Sequence, residues 1–300
     1  MPDSETAPLL LIVNRSAGRG KAVSTLRRTT ALLDRARYPF RVEPSSSGEH
    51  AGELAQLGCE AGELPVAVGG DGQVARVAEP LIGTGQTMGV IPCGRGNDLA
   101  RGLGIPTDPE AALGTIFEGA SRTLDTGVVD GSPFLGIASV GFDSKANEIA
   151  NRTGFLPGKS VYAWSAVRAL MGWKPVRFSV VADGVERRVE AHTVAVANNR
   201  FYGAGMMMAP DARLDDGMLD LVIVGAVSRM RFIADFPRVF SGKHVDGVRV
   251  TSEPVREVEL KCGSPLTVYA DGDPIAELPA RLRVRPRSLS ILAPAPKAGP

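Results

Sequence analysis

Apolar residues in the first 120 positions come in short runs separated by stretches in which they recur every three or four residues. That alternation is expected of buried strands joined by amphipathic helices. The runs predict strands at Leu9–Val13, Phe40–Glu43, Pro65–Val68 and Thr87–Ile91. Helices are predicted at Lys21–Ala36, Glu49–Glu60, Gln73–Leu81, Asn97–Leu103 and Pro109–Phe117. This order predicts an α/β domain with a parallel sheet covered by helices. After Asp125 the texture becomes β-rich, with Gly and Asp turns between Phe134–Ser139, Val176–Ala182, Glu186–Ala197, Leu219–Val224, Val255–Leu260, Leu266–Tyr269 and Ala280–Val284. These segments predict a second, mostly antiparallel domain, interrupted by helices at Ser160–Gly172 and Ser228–Phe240. The division expected is 1–126, 127–292 and a Pro- and Ala-rich tail, 293–300, without fixed structure.

A chain of 300 residues exceeds one small core, which agrees with two domains. Its net charge of +1 gives no overall basic field, so nucleic acid is not an expected partner. Cys59, Cys93 and Cys262 are far apart and odd in number, which argues against a disulfide framework or metal spacing and for a reducing cytoplasm. No run approaches the roughly 18 apolar residues of a spanning helix, and the N-terminal apolar run has strand length, not that of a signal peptide. Attachment to a membrane surface remains compatible with the sequence.

Glycine supplies 35 residues, and three glycine loops follow predicted strands. These are Asn14-Arg15-Ser16-Ala17-Gly18-Arg19-Gly20, Gly69-Gly70-Asp71-Gly72 and Pro92-Cys93-Gly94-Arg95-Gly96-Asn97-Asp98. Each would lie at the carboxyl end of a strand, where open α/β sheets bind ligands, and small residues there let backbone N–H groups approach an anion. Asn97 is placed to cap the following helix. One loop alone is an ordinary turn, but three on one edge point to a phosphate site. Neither the Walker G-x-x-x-x-G-K-[ST] pattern nor a Rossmann G-x-G-x-x-G with a following acid is present.

These loops, with Pro210-Asp211-Ala212-Arg213-Leu214-Asp215-Asp216-Gly217 and Asp271-Gly272-Asp273, resemble in order the diacylglycerol kinase catalytic family, which includes bacterial lipid kinases and the sphingosine and ceramide kinases. The resemblance runs from about Leu9 to Leu292. It implies an N-terminal α/β nucleotide-binding domain and a C-terminal β-sandwich, with ATP held in the cleft between them. Asn14, Arg15, Ser16, Ala17, Gly18, Ser45, Gly70, Asp71, Gly72, Gln73, Val74, Ala75, Arg76 and Arg95 would then surround ATP. Asp71 would organise a catalytic magnesium and Asp125 would be a supporting acid. Asp216, with the main-chain carbonyls of Arg213 and Met218, would hold a structural Mg2+. Asp273 is the first choice for the base that receives the acceptor's proton and Asp271 the second.

The chain departs from the family at Arg15, Gln73 and Arg95, where Pro, Thr and Thr are usual, and at Asp273, where Glu is usual. Met206, Met207 and Met208 are expected to fill core. Arg281, Arg283, Arg285 and Arg287 alternate along a predicted strand and are expected on a solvated face. The resulting expectation is an ATP- and Mg2+-dependent kinase acting on a lipid hydroxyl, with diacylglycerol giving phosphatidic acid, at the cytoplasmic face of the inner membrane. Alternatives are a sphingoid lipid, a soluble diol or NAD as acceptor, and a regulatory protein that binds nucleotide or lipid without transfer. Homodimer formation is left open.

Overall fold

The computed structural model describes residues 7–14, 20–142, 144, 173–245 and 249–295. It divides into two compact units, 1–124 with 287–300, and 125–286. The helix expected at Ser160–Gly172 and the loop residues Arg15, Ser16, Ala17 and Gly18 lie outside the described residues, as do 296–300 of the tail.

In the first unit the chain runs β1 (Leu9–Val13), α1 (Lys21–Ala36), β2 (Phe40–Pro44), α2 (Gly48–Glu60), β3 (Leu64–Gly69), α3 (Asp71–Ala78), β4 (Thr87–Pro92), α4 (Asp98–Leu103) and α5 (Pro109–Glu118). A 3-10 turn, Glu79–Leu81, continues α3, because Pro80 cannot extend the helical ladder. Strands β4, β3, β1 and β2 lie side by side and parallel. All five residues of β1 are buried, as expected for a strand covered on both faces, and each buried Leu stabilises by about 1.5–3 kcal/mol. Ala22 and Leu33 of α1 join Leu9, Leu11, Val66, Val68, Ile91 and Leu113 in this unit's core.

The second unit begins within β5 (Ala120–Val129). It continues through β6 (Ser132–Phe134), β7 (Ile137–Gly141), β8 (Val176–Ala182), β9 (Val185–Ala197), β10 (Phe201–Tyr202), β11 (Met206–Met207) and β12 (Leu219–Gly225). Then follow α6 (Arg229–Asp235), β13 (Val250–Val255), β14 (Glu257–Cys262), β15 (Thr267–Ala270), β16 (Asp273–Glu277) and β17 (Ala280–Ala293). Pairing within it is antiparallel, in the order β16-β15-β7-β9-β8-β14-β17, with β12 on β9 and β13 on β12. On β8 the core takes Phe178, Val180 and Ala182 while the alternate residues are more exposed, the period of a half-buried strand. This is a mostly antiparallel β-sandwich. Met206 and Met208 are buried, which agrees with core filling.

Several expected boundaries move, each for a local reason. The run Phe134–Ser139 is two strands, because Leu135 and Gly136 donate their N–H groups to the Asp271 side chain. Val255–Leu260 is divided at Arg256, where the Asp183 carboxylate accepts the N–H groups of Arg256 and Glu257. The last strand is shared by two pairings: β17 pairs with β14 near its start, and Ser290 and Ile291 pair in parallel with Thr87 and Met88 of β4. Ala293 is fully buried and closes that strand, so it is not part of an unstructured tail.

Candidate active site

Because β1 to β4 are parallel, their carboxyl ends share one edge of the first unit's sheet, carrying Asn14, Ser45, Gly70 and the loop 93–97. Two backbones meet there. A Cβ on Gly94 would lie 2.4 Å from the Gly70 Cα, and one on Gly70 would lie 3.0 Å from the Gly94 Cα. Only glycine permits this approach. Gly72 has open space around it, and Gly70 starts α3 without a side-chain cap. The orphan N–H groups of α3 and its dipole therefore lie beside a loop rim stripped of side chains, a setting suited to phosphate.

Asp71 joins the two glycine loops. Its Oδ1 accepts the Leu99 N–H at 3.2 Å and so caps α4. Burial pushes its carboxyl up from the ordinary value, while hydrogen bonds from the amides of Leu99, Asp98, Asn97 and Asp71 itself act in the opposite direction. Asn97, expected to cap α4, does not. It has φ of +51°, its Oδ1 accepts the Gly94 N–H at 2.8 Å, and its Nδ2 donates to the Gly94 carbonyl at 3.3 Å.

The other expected nucleotide residues divide by helical period. Gln73 and Val74 face the sheet and are buried, whereas Asp71, Gly72, Ala75 and Arg76 are turned away from it. Val74 therefore offers only backbone to a ligand. The Gln73 amide is committed internally: Nε2 donates to the Ile12 carbonyl at 3.3 Å, and Oε1 accepts from Ser45 Oγ at 3.4 Å. Arg76 is exposed and pairs with Glu79, and Arg95 is exposed in its loop.

In the second unit, three expected acids belong to one hydrogen-bonded network. Asp271, at φ of +52°, accepts the N–H groups of Leu135, Gly136 and Ile137 at 2.7, 2.8 and 3.3 Å. A Cβ on Gly136 would stand 2.6 Å from Asp271 Oδ1, so a side chain there would displace the carboxylate. Asn198 donates Nδ2 to the carbonyls of Leu135 and Asp125, both at 2.9 Å. Asp125, 1% exposed, accepts the Gly217 N–H at 2.6 Å and donates its own N–H to Leu214. Asp216 lies in the turn so held, its Oδ1 accepting the Met218 N–H at 3.0 Å. Asp271 and Asp125 are thus positioning residues for two turns. Asp273, which opens β16 opposite Ala270, is exposed.

Residues 136–293 match the YegS C-terminal NAD kinase beta sandwich-like domain, and residues 8–129 match the diacylglycerol kinase catalytic domain. The chain is 33% identical over 299 residues to a diacylglycerol kinase of Mycobacterium tuberculosis (strain CDC 1551 / Oshkosh), covering 97% of this chain and 96% of the relative. It belongs to the diacylglycerol kinase family. A Pseudomonas aeruginosa (strain UCBPP-PA14) protein named "Probable lipid kinase YegS-like" is 33% identical over 240 residues, 77% of this chain and 76% of the relative. A solved diacylglycerol kinase structure from Bacillus anthracis str. Sterne has a TM-score of 0.74 at 19% identity, covering 98% of both chains, a likeness of fold. Family membership makes this a lipid-kinase scaffold, with ATP as the co-substrate the family implies.

A magnesium implied by that family can be tested against the residues present. Among the described residues no group of three or more His, Cys, Asp or Glu forms a metal cage. A Mg2+ held by one carboxylate, carbonyls, water and phosphate does not need one. Beside Asp216, the Asp220 carboxyl is pushed up to about 6, first by burial and then by the charges of Asp216 and Asp211, with Arg200 opposing. This local excess of negative charge fits a cation at the Asp216 turn. Asp220 and Asn198 were not anticipated from the sequence. Their signal was polar side chains bordering apolar runs, Asp220 inside Leu219–Val224 and Asn198 directly after Val194–Ala197.

Proposed function

We propose that this protein transfers the γ-phosphoryl group of ATP, with magnesium, to a lipid hydroxyl, with diacylglycerol as acceptor and phosphatidic acid as product. The observation that carries the reading is the Gly70–Gly94 contact at the carboxyl edge of a parallel sheet, beside the start of α3. In this reading the exposed backbone amides of that rim receive the phosphates of ATP. Asp71 faces the metal ion that accompanies them, and its burial gives its charge greater effect than on an open surface. Magnesium, when bound, supplies charge neutralisation to the phosphates, with Asp71 at the catalytic position and Asp216, Arg213 and Met218 at the structural one. Phosphoryl transfer asks the protein mainly for position and electrostatics. Asp273 receives the proton of the acceptor hydroxyl, because the Asp271 oxygens are engaged by three amides and Asp271 instead fixes the turn that carries Asp273. The protein works at a membrane surface, in keeping with the absence, among the described residues, of a helix long and apolar enough to cross one.

The relative named a YegS-like lipid kinase favours a second reading in which the acceptor is another lipid. Transfer of label from γ-labelled ATP to a panel of diacylglycerol, a sphingoid base, a soluble diol and NAD separates these. Labelled phosphatidic acid is the expected product. Label found only in a soluble acceptor would overturn the lipid assignment. ATP binding without transfer, unchanged by Gln73→Thr, Arg95→Thr and Asp273→Glu, would favour a regulatory protein.

A further inference from the structure

Most exposed large apolar side chains among the described residues stand singly, as Val23, Leu57, Phe117 and Val185 do, and such residues need no explanation. Met230, Ile233 and Phe240 are different. They are 76%, 51% and 46% exposed and fall within α6 and the 3-10 turn Phe236–Ser241 that follows it. No residue of α6 is buried. The segment nevertheless has an inner side: Phe232 lies 4.8 Å from Phe142 and 5.0 Å from His192, ring centre to ring centre, and 6.4 Å from Phe236. Its far end is fixed by Gly242, where a Cβ would stand 2.9 Å from Met207 Sδ and Pro210 Cγ. Met230 and Ile233, three residues apart, share another face of the helix.

Charge singles out the same stretch. Between residues 229 and 243 the sequence has four cations, Arg229, Arg231, Arg238 and Lys243, and one carboxylate, Asp235, in a chain whose net charge is only +1. Asp235 pairs with both Arg231 and Arg238 and so holds two of the cations along the segment. Neighbouring apolar side chains interleaved with surplus cations complement an anionic headgroup layer. Apolar groups gain by entering the acyl boundary, and arginine and lysine gain from the lipid phosphates. We propose that Arg229–Lys243 is the element by which this protein docks on an anionic lipid surface, with Met230, Ile233 and Phe240 inserted. The proposal rests on the lipid-acceptor reading and adds where the protein meets the bilayer.

The test is co-sedimentation of the full chain with vesicles of phosphatidylcholine alone or mixed with phosphatidylglycerol. The variants are Met230→Ser with Ile233→Ser, Arg229→Gln with Lys243→Gln, and Val185→Ser as a control at an exposed apolar site elsewhere on the unit. The two double variants are expected to lose at least about tenfold in binding to the mixed vesicles, as expected when apolar or cationic anchors are removed, and Val185→Ser none. All three should still phosphorylate a short-chain diacylglycerol dissolved as monomer. Equal vesicle binding by the double variants and the unaltered protein would overturn the proposal. So would a concentration-dependent dimer that needs Met230 and Ile233 and forms without any vesicle binding. Absence of turnover by the unaltered protein on every lipid would refute the kinase reading separately, while the vesicle comparison would still decide the docking claim.

Discussion

Replacing Asp271 by Asn separates a positioning role from a catalytic one. Asn tolerates the left-handed backbone at φ of +52°, so the change adds little strain. It does replace one carboxylate oxygen by an NH2 group. Oδ2 now accepts Leu135 N–H, and Oδ1 accepts Gly136 and Ile137 N–H, so Asn can serve one side only and turns a donor toward a donor on the other. Losing one hydrogen bond to a charged acceptor and weakening two others costs about 2–3 kcal/mol at this half-buried site. For a unit of this size that corresponds to a fall of about 5–10 °C in Tm, read by calorimetry or circular dichroism. Gly136→Ala should act similarly, because its Cβ would meet Asp271 Oδ1 at 2.6 Å. A catalytic base would behave differently, with kcat falling about 100-fold or more and Tm hardly moving. An Asp271→Asn protein within ~1 °C of the unaltered Tm would refute the positioning role.

Gly94→Ala should weaken ATP binding at least about tenfold by calorimetric titration and destabilise by about 1–3 kcal/mol, because the new Cβ meets backbone, whereas Gly72→Ala, with open space, should leave stability unchanged. Asp71→Asn keeps an oxygen for Leu99 N–H and removes a buried charge, so stability should hold or rise while turnover falls about 100-fold. Asp220 carries a pH dependence. With its folded pKa raised to about 6, the native state holds the proton more tightly than the unfolded chain, so stability should fall as pH rises from the ordinary carboxyl range to about 6. The loss, discounted for solvent access, is about 1–2 kcal/mol by denaturant titration. Asp220→Asn should abolish that slope, and added magnesium should recover stability at neutral pH if Asp216 holds the ion.

The first unit was legible because its strands announce themselves. Leu9–Val13 is apolar throughout and buried on both faces, and the predicted bounds of β1 and α1 coincide with those observed. β5 was missed because its first residues, Ala120 and Ser121, are exposed and Arg122 and Thr123 are polar, burial becoming complete only from Leu124. The β13–β14 division was hidden because it depends on Asp183, a residue more than 70 positions from Arg256. The site shows the same contrast. The glycine loops were readable in order, but the exchange of roles between Asn97 and Asp71 was not. A cap supplied from 28 residues away leaves no local pattern, and the Asn97 side chain turns back to Gly94. Asp-Gly-Asp marked a turn correctly, while the amides that occupy Asp271 come from the junction of β6 and β7, more than 130 residues earlier.

The most direct test of the account is the stoichiometry of ADP and lipid phosphate in one reaction containing the protein, ATP, magnesium and vesicles carrying diacylglycerol. One phosphatidic acid is expected per ADP released, with both abolished by chelation of magnesium and by Asp71→Asn. ADP accumulating without lipid phosphate, or no ADP at all in the presence of magnesium and acceptor, would contradict it.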